Sequence, residues 1–227
     1  MKYTLMILIL IAVAFLNAQE REFSAADQSV FALPTAYTMP AGTHAITDYE
    51  LVLLQYAYAP IDRLHLSAGM VFPFTTDMLR TLSLGFKYNY YRSEKFATAF
   101  WTSYSPDPNM MTVGNVFSFG DRKTNFHLGI GTGVQFGHPL DNFVIGAGLI
   151  QSFSRRVSGM LEFESIGYNF YDNEDPEDSG LENEQILTGG VRLKGENISW
   201  DFGVVRPLQA DMGDFIGIPF IKATFLF

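Results

Sequence analysis

The stretch Asn125–Gly137, NFHLGIGTGVQFG, decides the fold. Phe126, Leu128, Ile130, Thr132, Val134 and Phe136 occupy every second position. Between them stand Asn125, His127, Gly129, Gly131, Gly133, Gln135 and Gly137. A repeat of two places successive side chains on opposite faces of a β-strand, whereas a helix would repeat every 3.6 residues. One face of this strand is bulky and apolar, the other small or polar.

The same split recurs along the chain. Leu82, Leu84, Phe86, Tyr88 and Tyr90 oppose Thr81, Ser83, Gly85, Lys87 and Asn89. Ile198, Trp200, Phe202 and Val204 oppose Ser199, Asp201 and Gly203. Alternating runs fall near 44–58, 64–74, 80–91, 96–105, 110–120, 125–137, 142–153, 157–171, 184–194, 197–206 and 215–227. Many of these runs exceed the roughly five or six residues of an ordinary strand and match the roughly nine to eleven of a tilted membrane strand. The expected fold is therefore all-β: a single transmembrane, antiparallel, up-and-down β-barrel whose apolar face meets lipid.

The connections divide into two chemical sets. Every second one, from Ile61–Arg63 through Arg92–Lys95, Asp121–Thr124, Ser154–Arg156 and Gly195–Glu196, is short; with Lys194 they hold eight of the 15 basic residues. The intervening set carries no Lys or Arg, and with Glu184 it holds twelve of the 24 acidic residues. Short turns at one rim and longer loops at the other are the pattern of outer-membrane barrels, with the short turns facing the periplasm. Ending Phe227 at the short-turn rim and requiring an even strand number calls for one strand before 44–58, and Gln28–Tyr37 is the candidate despite Pro34. The expected count is twelve, with ten as the fallback.

Composition narrows the classes further. Only 17% of residues are charged, against about 25% in ordinary soluble domains. A net charge of −9 and the lack of a basic stripe argue against nucleic acid as a partner. With no cysteine there are no disulfides, thiolate metal sites or lipid-anchor thiol. The start, MKYTLMILILIAVAFLNAQ, places Lys2 before an apolar stretch from Leu5 to Leu16, which predicts a secretory signal peptide over 1–18. Residues 19–27 are then expected as an N-terminal periplasmic arm and 28–227 as the barrel.

The final residues, FIKATFLF, resemble the C-terminal insertion signal of bacterial outer-membrane barrels, with apolar residues at Ile221, Ala223, Phe225 and Phe227. That resemblance implies recognition by the barrel-assembly machinery and residence in the outer membrane, in contact with its lipids. The segments PTAYTMPAG and APIDRLHLS are similar to the start of small outer-membrane proteins from Bacteroidota-like bacteria. This second likeness names no activity.

Candidate site residues lie on the inward set. Glu162, Glu164, Arg192, Asp201 and Lys222 are expected to form a charged ladder in the lumen, with Glu162 opposite Arg192 and Asp201 diagonal to it. Such a ladder either selects solutes at a constriction or fills and stiffens the lumen, because charges short of water must pair. Gly129, Gly131, Gly133, Gly146 and Gly148 form a smooth inner patch, expected where the wall bends, or where a ligand or inserted arm needs room. The loop DNEDPEDSGLENE, Asp172–Glu184, is acidic but lacks calcium-loop spacing. No nucleophile elbow accompanies the four histidines, so no catalytic residue, metal or cofactor is expected. The functional expectation is a narrow passive channel for small, preferably cationic solutes, or an envelope-structural barrel. Two further readings are a surface adhesion barrel acting through residues 172–184 and a lipid-acting outer-membrane enzyme.

Overall fold

The computed structural model describes residues 24–71, 80–107, 109–121, 123–135, 142–168, 184–210, 213 and 215–227. The expected signal peptide and most of the acidic loop lie outside these residues. Twelve strands build the wall: β1 (His44–Tyr49), β2 (Leu53–Ile61), β3 (Leu64–Val71), β4 (Ser83–Arg92), β5 (Phe96–Ser105), β6 (Met110–Gly120), β7 (Thr124–Gln135), β8 (Asn142–Ser152), β9 (Val157–Tyr168), β10 (Glu184–Lys194), β11 (Ile198–Pro207) and β12 (Ile218–Leu226). Each pairs antiparallel with its sequence neighbours, and β1 pairs with β12 to close the barrel. At the seam, the His44 amide donates to the Phe227 carbonyl (2.9 Å) and the Phe227 amide to His44 (3.0 Å). Both ends of the wall thus meet at one rim, called here the near rim, which also carries the five short turns.

The count of twelve is reached differently from the expectation. The run 44–58 is not one strand but most of a hairpin, because the chain reverses at Glu50–Val52. Glu50 and Leu51 adopt left-handed φ values of 58° and 59°, and the Val52 amide donates to the Tyr49 carbonyl at 3.0 Å. Turns of this hand are normally announced by Asn-Gly or Asp-Gly. Glu-Leu gives no such signal. Residues 28–37, expected as the first strand, consequently take no place in the wall. An L-residue held left-handed costs about 1–2 kcal/mol, so the E50N/L51G double variant is expected to gain about 1 kcal/mol of stability, read as a higher denaturant midpoint in detergent.

The two faces of the wall follow the alternation. Phe126, Leu128 and Ile130 are exposed on the outside, whereas Asn125 and His127 are buried within. Leu84, Phe86, Tyr88 and Tyr90 face out; Lys87 and Asn89 face in. Trp200, Phe202 and Val204 face out, with Ser199 and Asp201 inside. The resulting apolar belt is edged at the near rim by aromatic rings in contact, stacked around His44 and tilted at Phe96. His44 lies 4.7 Å from Tyr58 and 5.5 Å from Phe227, and Phe96 lies 5.0 Å from Phe119. Of the insertion-signal residues, Phe225 and Phe227 are exposed, Ile221 is half-buried, and Ala223 is buried.

Candidate functional site

The lumen is occupied by the chain's own N-terminal segment, residues 24–43. From Ser29 to Met39 every residue except Ala32 and Pro34 is buried. A segment surrounded by wall along most of its length has almost no solvent face, which explains why SVFALPTAYTM shows no clean alternation. Ser29 bridges Pro34, and the Val30 amide donates to the Leu33 carbonyl at 2.9 Å, folding the tip into a tight turn. A short 3-10 turn, Ala25–Asp27, precedes it and packs against β10, β11 and β12.

The tip turn aims three backbone amides at one carboxylate. Glu162 on β9 accepts from Phe31 (2.7 Å), Ala32 (2.9 Å) and Leu33 (3.0 Å). The carbonyls on the other side of the turn meet cations. Lys222 donates to Val30 and Phe31 carbonyls and to the Ser29 hydroxyl, at 2.8, 2.7 and 2.8 Å. Arg192 donates to the Ser29 carbonyl at 2.9 Å and also to that of Val30. Asp201 lies between these cations, 2.7 Å from Arg192 Nη2 and 2.9 Å from Lys222 Nζ. Two carboxylates and two cations are thus buried together with the tip's backbone dipoles as their remaining partners. Charges removed from water require this degree of pairing.

Of the five residues expected as a charged ladder, Arg192, Asp201 and Lys222 are cross-strand neighbours, and the expected placing of Glu162 needs correction. Arg192 pairs directly with Asp201, and Asp201 with Lys222. Glu162 stands opposite Thr188, and Arg192 opposite Ser158, so Glu162 and Arg192 are not partners. The cause is the β9–β10 connection, which begins earlier than the sequence suggests; the ladder already ends at Ile166 opposite Glu184. Glu164 makes no part of this cluster and faces a cavity instead.

The glycine patch is the socket for the tip. A methyl group at Gly129 or Gly146 would sit 2.7 or 2.6 Å from Leu33 Cδ1, and one at Gly148 2.7 Å from Val30 Cγ2. Gly203, absent from the expected patch, has the Phe31 ring 3.0 Å from the same position. Gly131 serves Trp101 rather than the tip, and Gly133 lies near Met110 and Thr112. Of the uses open to these glycines, room for an inserted arm is the one the contacts at Gly129, Gly146 and Gly148 match.

The second leg descends to the near rim through single polar contacts. Lys87 Nζ donates to the Thr35 carbonyl (3.0 Å), and Asn89 Nδ2 to that of Ala36 (2.7 Å). The Ala36 amide donates to Ser118 Oγ (2.9 Å), which lies 2.8 Å from His127 Nδ1. The Met39 amide donates to His65 Nε2. Thr38 Oγ1 and the Ala41 amide both bond Asp62, each at 2.8 Å, in the β2–β3 turn. Lys87, Asn89, Ser118 and His65 were not candidates from sequence. Their only signal was a polar residue on the inward face of an otherwise small-residue strand.

Toward the far rim, the tip forms the floor of a cavity of about 450 Å³. Ala32, Leu33 and Pro34 line its base, and Gln55, Trp101 and Glu164 belong to its wall. Among the described residues no group of three or more His, Asp or Glu side chains is arranged to hold a metal ion.

Fold and lumen together define a closed, up-and-down, twelve-stranded barrel filled by its own N-terminal segment. No protein-family model matches the chain, and no curated protein matches it. Among solved structures, the chain is similar to one described as "Unveiling the Mechanism Behind the in-meso Crystallization of Membrane Proteins", with a TM-score of 0.52 and 8% identity over 82% of this chain and 83% of that one. At that identity the likeness speaks to the shared barrel fold alone.

Proposed function

We propose that this chain is an outer-membrane barrel closed by its own N-terminal plug, serving the envelope as a sealed structural and binding barrel rather than as an open passive channel. One observation carries this reading: the wall is inverted relative to a water-soluble barrel, with its large apolar side chains outside and its charges inside. In water, each exposed Å² of apolar surface costs about 25 cal/mol, and a belt of this extent is covered only by lipid or by a partner. The near-rim aromatics support an interface with lipid headgroups, where such rings settle. The likeness of FIKATFLF to an insertion signal supports assembly by the barrel-assembly machinery and puts the near rim at the periplasm. The neighbour's printed description concerns membrane proteins, which agrees with a membrane location for the barrel.

No reaction is assigned to the chain in this reading. The one Ser–His contact described above, Ser118 to His127, is buried, and its hydroxyl holds the Ala36 amide. The test is fractionation after expression in a Gram-negative host, with electrophoresis of boiled and unboiled samples. Recovery in the outer membrane with migration that changes on heating is expected. A soluble periplasmic product whose migration ignores heating would overturn the proposal.

A further inference from the structure

We infer that the cavity above the plug is a binding site for a neutral saccharide of one or two rings. Such a site rests on the plug staying seated as proposed above, because Ala32, Leu33 and Pro34 are its floor. Its volume, about 450 Å³, falls within the roughly 300–1,000 Å³ of small-molecule pockets and is sufficient for about one or two pyranose rings.

The wall chemistry selects the ligand class. Trp101 on β5 points inward, and its ring rests on two glycines: a methyl at Gly114 would lie 2.7 Å from it and one at Gly131 3.1 Å. Their missing side chains let the indole lie against the wall while it also lines the cavity. A large aromatic in a largely apolar cavity offers a stacking surface to the C–H face of a sugar ring. Hydroxyl and amide groups stand around it. Ser67, Gly85 and Ser103 are successive cross-strand partners on β3 to β5, and Ser103 Oγ lies 2.5 Å from Thr112 Oγ1 on β6, so the hydroxyls of this row that line the cavity are those of Ser67 and Ser103. Gln55 and Ser83 extend this polar set, and Glu164 faces it from β9, six strands around the barrel from β3. A ring with one apolar face and an edge of hydroxyls matches that arrangement.

An organic cation would be the rival occupant of an aromatic surface beside a carboxylate. Here Lys87 is the direct cross-strand partner of Trp101 and lines the same cavity. Its Nζ donates to the Thr35 carbonyl at 3.0 Å, so the group beside the indole is a basic amine and not a second carboxylate, which favours a neutral ligand over a cation there.

Trp101 and Trp200 are the two tryptophans of the chain, and Trp200 faces outward. In a W200F background, Trp101 emission therefore reports the cavity directly. The folded protein in detergent is titrated with D-glucose, N-acetyl-D-glucosamine, maltose and choline chloride, and the heats are measured in parallel by calorimetry. A saturable response to at least one sugar and none to choline is expected. W101A should weaken that affinity by about tenfold or more, and W101F by only about threefold, since a phenyl ring keeps part of the stacking surface. Filling the hydroxyl row with S103L should abolish binding while heat-modifiable migration persists. The inference is overturned by no response to any of the three sugars, by a response to choline alone, or by sugar binding unchanged in W101A. Ion conductance of the same preparation is recorded separately. A conducting native barrel contradicts the seated plug, whereas a silent barrel that binds no sugar contradicts the saccharide site alone.

Discussion

Replacing Asp201 by alanine is expected to lower the stability of the barrel by about 3–5 kcal/mol, the usual cost of removing one member from a buried ion cluster. Asp201 has 0% exposure and is the shared counterion of Arg192 and Lys222, which are themselves 1% and 2% exposed. Without it two cations stand side by side in the lumen, where the plug's carbonyls and the Ser29 hydroxyl accept from them but bring no balancing charge. Neither can reach bulk water without leaving the lumen. The measurement is the temperature or urea concentration at which the folded band disappears in detergent. Asp201→Asn should fall between native and alanine, because the amide keeps an acceptor but not the charge. An alanine variant as stable as the native chain would contradict the cluster as described.

The Gly148→Leu variant is expected to unseat the plug. A Cβ at Gly148 would face the whole Val30 side chain, with Cγ2 at 2.7 Å and both Cβ and Cγ1 at 3.3 Å. Val30 has no easy escape: a β-branched side chain is stiff at χ1, and its carbonyl is held by Arg192 and Lys222. Gly129 and Gly146 are more forgiving, since they meet the flexible end of Leu33. Overpacking of this kind costs about 1–3 kcal/mol, and here the loss should show as new protease cleavage between residues 29 and 39. The milder Gly148→Ala should be rescued in part by Val30→Ala, with a coupling of about 0.5 kcal/mol or more. Strictly additive effects would mean that the two positions do not touch.

Much of this architecture is legible in the chain because a barrel wall is written in a period of two. The outward set of β4, β7 and β11 and the inward charges Glu162, Arg192, Asp201 and Lys222 follow from alternation alone. Three features do not. The first hairpin is hidden because Glu50–Leu51 lacks turn chemistry, so two strands read as one and residues 28–37 seem needed to complete an even count. The register of Glu162 depends on where a long acidic connection begins, and alternation is blind to shifts by two or four residues. The partner of the ladder is hidden most deeply. Nothing in the sequence spacing links Glu162 to the amides of Phe31–Leu33, some 130 positions earlier. The glycine patch did carry a trace of it, since inward glycines on adjacent strands at Gly129 and Gly146 leave a hollow that something must fill.

The central claim is that a membrane-spanning barrel is sealed by residues 24–43. Planar-bilayer recording of the intact chain beside a variant lacking residues 24–39 tests it most directly. The wall closes through β1–β12 pairing without those residues, so the shortened chain should still insert. A silent native barrel and stepwise conductance in the shortened one are the expected result. Equal conductance from both, or a shortened barrel that inserts and stays silent, would contradict a lumen closed by its N-terminal segment.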